Sequence, residues 1–212
     1  MCTRCVSGIV FYWSYAGADL QWDRVVYVFD GDEAETKSGT VFKKNDTISF
    51  NWILANYHSS MAVDNDDGSC FYDTHDNVFI AEPSGAAYGG NSLKSDFGGH
   101  SNFHHGNLDL FFSNGYGITE QLPGYEDGYY GNYLYMSADG DYGHVRQDGV
   151  GSGAPVVHSN TVWSPTGNVT EGGKPLKDFQ KEDRRNDPGT TAAPYPDDGV
   201  VLAVARQILK MA

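Results

Sequence analysis

Five of the seven histidines, His100, His104, His105, His144 and His158, fall between positions 100 and 158, in Gly- and aromatic-rich sequence without a helical period. Neutral imidazole is the commonest metal ligand and the side chain whose charge changes near neutral pH, so this concentration points to metal binding or proton transfer. Structural zinc takes four Cys or His ligands, whereas catalytic zinc takes three protein ligands and keeps one position open. The thiols lie outside the cluster, at Cys2, Cys5 and Cys70. A metal site here would therefore use histidine with carboxylate or amide ligands, and would be open.

The elements needed to position these residues read as strands. LDLFF at 108–112 alternates, with Leu108, Leu110 and Phe112 on one face, and Asn114-Gly115-Tyr116-Gly117 has the signature of a tight hairpin turn. ITEQL then returns as the partner strand, placing His104, His105 and Asn107 before one strand and Glu120 and Gln121 on the other. His104 and His105 are adjacent, so on a strand they face opposite sides and only one serves a given site. NVFIAEP at 77–83, YYGNYLYMSA at 129–138 and PVVHSNTVW at 155–163 are further strands, the last carrying His158.

On the N-terminal side, IVFYWSY and RVVYVFD read as strands and residues 40–50 as a hairpin turning at 43–46. The spacing of Trp52, Leu54, Ala55, Tyr57 and Met61 allows a short helix over 51–62. Residues 64–77 and 139–155 read as loops. Residues 166–196, rich in proline and basic residues, form an irregular connection, and 197–212 is a helix with Asp197 or Asp198 at its start and Arg206 and Lys210 near its end. The expected architecture is an all-β, antiparallel β-sandwich over 1–165 with a short C-terminal α-helix.

Composition limits the partners. With 28 Asp+Glu against 14 Lys+Arg the formal charge is −14, which argues against nucleic acid, because affinity for phosphate backbones comes mainly from Lys and Arg. The basic run Lys174, Lys177, Lys181, Arg184 and Arg185 reads as a solvated face. No stretch is long and apolar enough to predict a membrane span. Cys2 and Cys5 have no second pair with which to build a zinc knuckle.

Three segments, His104-His105-Gly106-Asn107-Leu108-Asp109, Glu120-Gln121-Leu122-Pro123-Gly124-Tyr125 and His158-Ser159-Asn160-Thr161-Val162, resemble in order and spacing the C-terminal β-sandwich region of the heparinase II/III-like polysaccharide lyases, over roughly 78–165. The resemblance implies β-elimination on a uronate-containing polysaccharide and a zinc ion organising the site. By motif position His105, or its neighbour His104, and His158 are the metal histidines. Gln121 stands where the family has its metal Asp, leaving Glu120 or Asp109 as substitutes, and Asn107 replaces a His. The assignment that follows is His105, Glu120 and His158 for metal, His104 and Tyr125 for catalysis, and Asn107, Tyr116 and Trp163 for substrate contact. In that family the proton-abstracting Tyr and the group neutralising the uronate come largely from a helical toroid domain that these residues do not resemble. A secreted or periplasmic location is expected, without a clear signal peptide. The alternatives are a non-catalytic carbohydrate-binding sandwich, with Trp163 and Tyr116 stacked on sugars, and a structural domain whose histidines are satisfied by backbone groups.

Overall fold

The computed structural model describes residues 46–54, 61–65, 69, 71–81, 90–95, 101–119, 126–146, 155–183 and 186–211. In chain order these form β1 (Asp46–Ser49), β2 (Trp52–Leu54), β3 (Met61–Asn65), β4 (Tyr72–His75), β5 (Val78–Ile80), β6 (Asn91–Ser95), β7 (Phe103–His105), β8 (Leu108–Phe112) and β9 (Asn114–Thr119). There follow β10 (Gly128–Tyr130), β11 (Tyr133–Met136), β12 (Gly140–Arg146), β13 (Val156–His158), β14 (Thr161–Ser164), β15 (Val169–Glu171), β16 (Lys174–Pro175), α1 (Leu176–Glu182), β17 (Thr191–Pro194) and α2 (Asp198–Ile208).

The strands stack into three sheets, A (β1-β4-β7-β10-β13), B (β17-β14-β11-β8-β5-β2) and C (β16-β15-β12-β9-β6-β3). Successive strands enter different sheets, and each strand lies beside its counterpart one coil away. The result is a β-solenoid of about four turns. This overturns the expected antiparallel sandwich, since the described pairings are parallel apart from the short β15–β16 pair.

Asn114-Gly115, expected as a hairpin turn, opens β9, which pairs with β6 and β12 and not with β8. Within β8 a bulge at Phe111, whose φ is 67°, sends Phe112 into the interior and not onto the face of Leu108 and Leu110, and beyond it Ser113 and Asn114 donate backbone N–H groups to the Gly90 carbonyl. The helix expected over 51–62 is replaced at its described ends by β2 and β3. Strands also replace part of each expected loop, and residues 166–196 contain β15, β16, α1 and β17. The strands expected before residue 40, and the segments carrying Cys2, Cys5 and Cys70, lie outside the described residues.

The corner between sheets A and B repeats one device. Asn51, Asn77, Asn107, Asn132 and Asn160 follow residues with positive φ: Phe50 at 57°, Asp76 at 53°, Gly106 at 62°, Gly131 at 63° and Ser159 at 57°. That left-handed residue turns the chain from one sheet into the next. Each asparagine after Asn51 accepts a backbone N–H from the coil before it: Asn51 N to Asn77 Oδ1 at 3.0 Å, Asn77 N to Asn107 at 2.9 Å, Asn107 N to Asn132 at 3.0 Å and Asn132 N to Asn160 at 3.0 Å. Thr190 ends the series, its hydroxyl accepting from Asn160 N at 2.8 Å. The side-chain amides of Asn77, Asn107, Asn132 and Asn160 donate in turn to the carbonyls of Ile48, Thr74, His104 and Tyr129. A buried backbone group left unpaired is costly, and the ladder satisfies a corner that no sheet reaches.

Inward-facing residues fill the solenoid: Phe79, Leu93, Phe112, Tyr116, Ile118, Tyr129, Leu134, Met136, Tyr142, Val162 and their neighbours form one buried cluster. A second lies outside sheet B, where α2 lays Ala205 and Ile208 on Val78, Leu108, Leu110 and Trp163. The C-terminal helix was therefore legible, and it covers a sheet, although Asp197 at its N-cap makes no side-chain capping bond.

Candidate functional site

Strand alternation divides the expected site between two faces of sheet A. His104 points inward and is fully buried, while its neighbour His105 points outward and is half-buried. On the outer face the register aligns Ser49, His75, His105, Tyr130 and His158. The four rings stack in one column: His75 on His105 at 5.1 Å, His105 on Tyr130 at 4.9 Å and Tyr130 on His158 at 4.9 Å, with interplanar angles of 11°, 4° and 9°. Parallel pairing sets this repeat, because neighbouring strands lie about 4.8 Å apart.

Hydrogen bonds fix the rings within the column. His105 Nε2 lies 2.8 Å from Asp73 Oδ1, on the neighbouring strand, and both side chains are partly exposed. His75 Nδ1 lies 3.0 Å from Asp76 Oδ2, and His158 Nδ1 3.1 Å from Ser159 Oγ. Partial burial, with Asp73 adding to it, raises the Tyr130 phenol above its ordinary range, so it presents a neutral hydroxyl. Two residues before Tyr130 on β10, Gly128 makes room for the rings: a Cβ there would come within 2.9 Å of both the Phe103 and Tyr130 rings. At one end Phe50 meets His75 edge-on at 6.1 Å and carries the Lys210 ammonium 4.1 Å above its ring.

The remaining assignments separate. Asn107 is a rung of the corner ladder and fully buried. Tyr116 is fully buried inside the solenoid, its hydroxyl donating to Glu171, and Trp163 is buried under α2 against Tyr133. These three cannot be a platform for sugar rings. Glu120 and Tyr125 lie outside the described residues. His105 and His158 stand on opposite sides of Tyr130, two strand spacings or roughly 10 Å apart. One zinc ion needs both nitrogens within about 2.1 Å of itself, so the pair does not fit a shared ion. Among the described residues no group of three or more His, Cys, Asp or Glu is arranged to hold a metal.

His104 belongs instead to a polar cluster in the interior. Its Nε2 lies 3.2 Å from Asp109 Oδ2, which also accepts the Tyr129 hydroxyl at 3.1 Å, and Ser92 Oγ lies 3.2 Å from that hydroxyl. His104 also stacks on Tyr129 at 5.4 Å and on Phe79 at 5.6 Å. Burial, with Asp109 next, pushes the Tyr129 phenol well up. His104 and Asp109 have no exposed surface and Tyr129 none either, so no polymer reaches them. Catalysis by His104 on an external substrate is thereby removed.

Asp73 and His75 are absent from the sequence-based reading, and Tyr130 enters it only beside Tyr125 and Tyr129 as a tyrosine available near the sugar. A signal for His75 and Tyr130 exists: Ser49-Phe50-Asn51, His75-Asp76-Asn77, His105-Gly106-Asn107, Tyr130-Gly131-Asn132 and His158-Ser159-Asn160 recur every 25 to 30 residues. Such a period marks a solenoid, and the residue two before each asparagine is the outward column. The chain is thus a parallel β-solenoid bearing a ring column on one outer face. Comparison with protein-family models, with curated proteins and with solved structures finds no match to it.

Proposed function

We propose that the chain binds an extended, hydroxyl-rich polysaccharide along the outer face of sheet A. The observation that carries this reading is the His75–His105–Tyr130–His158 column, a straight row of polar ring edges repeating at the strand spacing. A polymer of like units meets like contacts in each successive coil. The inner rings are occupied by one another on both faces, so recognition would run through nitrogens, the Tyr130 hydroxyl and the Asp73 carboxylate, by hydrogen bonds. The outward residues of sheet A include no Lys or Arg, and the chain carries −14 overall, so a neutral or sparsely charged glycan suits it better than a dense polyanion.

A second reading is favoured by the 2.8 Å contact between His105 and Asp73. A carboxylate behind an imidazole fixes its orientation and tautomer, which is the arrangement of a general base. On a uronate polymer that base starts β-elimination: His105 takes the proton next to the carboxylate, the freed pair forms the C=C bond, and the glycosidic oxygen departs with the pair of its broken C–O bond and takes a proton from solvent. Cleavage of this kind needs the uronate carboxylate neutralised, which on this face falls to the neighbouring imidazoles.

One experiment addresses both readings. Neutral and uronate polysaccharides are titrated calorimetrically against the wild type, Tyr130→Ala and His105→Ala, while absorbance of the unsaturated uronate product is followed. Binding weakened about tenfold or more in Tyr130→Ala, with unchanged circular dichroism, supports the binding face; affinity indifferent to both substitutions overturns it. Product formed by the wild type and abolished in His105→Ala supports cleavage, and a wild type that forms none from any uronate polymer sinks that reading.

A further inference from the structure

The interior at the C-terminal end of the solenoid holds two buried carboxylates. Glu171, on β15, is 3% exposed and Asp187, in the turn before β17, is 2% exposed. Tyr116 on β9 donates its hydroxyl to Glu171 Oε1, and Tyr142 on β12 and Thr190 donate to the two oxygens of Asp187. The remaining oxygen, Glu171 Oε2, is buried and receives no hydrogen bond among the described residues. The rings that donate to the two carboxyls, Tyr116 and Tyr142, meet edge-on at 5.5 Å, which sets Glu171 beside Asp187. A buried polar atom without a partner calls for an explanation, and here a proton supplies it: placed on Glu171, it lets that carboxyl donate to Asp187.

We propose that Glu171 and Asp187 share one proton, and that this protonated pair is a pH-sensitive latch holding residues 186–190 onto the last coil. Two carboxylates in contact inside a protein cannot both ionise cheaply. The other titratable groups around the pair are Tyr116 from β9 and Asp141 and Tyr142 from β12, while His158 of β13 acts on Asp187 from the outer face. Burial, then Asp187, pushes Glu171 up to about 8, and Asp187 is raised as well, chiefly by burial. The latched segment matters because it supplies the final rung of the corner ladder, through Thr190, and because Pro188 accepts the Ser159 backbone N–H beside His158.

The sign follows from proton counts. With its folded-state value raised, Glu171 holds a proton in the folded chain at pH values where the unfolded chain has lost it. Its contribution is complete below about 4.5, the ordinary glutamate value, and is lost as pH rises through about 8. The unfolding constant should therefore climb between these values, approaching about tenfold per pH unit where the difference is one proton.

The test uses the full chain. Infrared spectra of the wild type at pH 7 should show the carbonyl band of a neutral carboxylic acid, absent from Glu171→Gln, whose amide replaces the acid's donor. Urea unfolding from pH 5 to 9 should show stability falling with pH in the wild type and a slope shallower by about one proton in Glu171→Gln. Amide protection factors at Ser159 and Thr191 should fall above pH 8 in the wild type alone. A wild type without the acid band overturns the shared proton. A band accompanied by pH profiles and protection factors identical in the two proteins overturns the latch. If Glu171→Gln fails to fold, Asp187→Asn and the titration of the wild-type band against Ser159 protection decide the same question.

Discussion

At the scale of single residues, several glycines are fixed by different demands, and substitution separates them. Gly143 lies opposite Tyr116 in the β9–β12 register, and a Cβ there would sit 2.0 Å from Tyr116 Cε1. Tyr116 is fully buried and hydrogen-bonded to Glu171, so it has nowhere to move. Gly131 has a φ of 63°, yet the nearest atom to its missing Cβ is 4.0 Å away, so alanine would meet strain but no clash. Gly131→Ala should cost about 1–2 kcal/mol, the penalty of a left-handed alanine, and leave Tyr130 stacked. Gly143→Ala should cost about 3 kcal/mol or more through overpacking. Urea unfolding of the two variants measures the difference, and equal losses would mean that Tyr116 is not wedged against that backbone.

At the scale of elements, α2 shows how polarity is distributed across a sheet. In β8, Leu108 and Leu110 face outward beneath the helix while Asp109 faces inward to His104 and Tyr129, the reverse of a strand with one wet face. Ile208→Ala should therefore cost about 2–4 kcal/mol, as for a core isoleucine, and expose Trp163, whose fluorescence should shift to the red. A surface-like loss under 0.5 kcal/mol would show that the helix does not seal sheet B. The sequence discloses such elements unevenly. The strands at β5, β8, β11, β13 and β14 and the C-terminal helix are readable from apolar runs and helical period. Parallel pairing is not, because Asn114-Gly115 looks the same opening a strand as closing a hairpin, and three of the left-handed corners, at Phe50, Asp76 and Ser159, carry no glycine to announce them. Nor do the prolines of 166–196 exclude order: Pro175 and Pro194 lie on β16 and β17, which are edge strands that tolerate a missing donor. Of the site, His105 and His158 are legible as histidines. Their common face with His75 and Tyr130 becomes legible only through the corner asparagines spaced 25 to 30 residues apart.

At the scale of the whole molecule, a solenoid is close to one-dimensional: each coil touches its neighbours and little else, so coupling should decay along the stack. The asparagine ladder is a direct probe, because its rungs are chemically alike and their contacts known. Asn132 Oδ1 accepts both the backbone N–H of Asn107, at 3.0 Å, and its side-chain amide, at 3.2 Å. Asn107→Ala and Asn132→Ala each leave buried backbone groups unpaired, and each should cost about 2–3 kcal/mol. In the double variant the second loss should be smaller, with a coupling energy of roughly 1 kcal/mol, because the bond between the two rungs is removed only once. Asn77 and Asn160 make their ladder contacts three coils apart, about 14 Å by the strand spacing. Their double variant should be additive within about 0.5 kcal/mol. Chemical denaturation of the wild type and the six variants gives both cycles. Equal coupling in the near and far pairs would mean that the coils fold as one body with strain spread along the axis. Coupling confined to the near pair would mean that a ligand lying along sheet A gathers its affinity coil by coil, and that loosening residues 186–190 weakens the grip beside His158 while leaving His75 undisturbed.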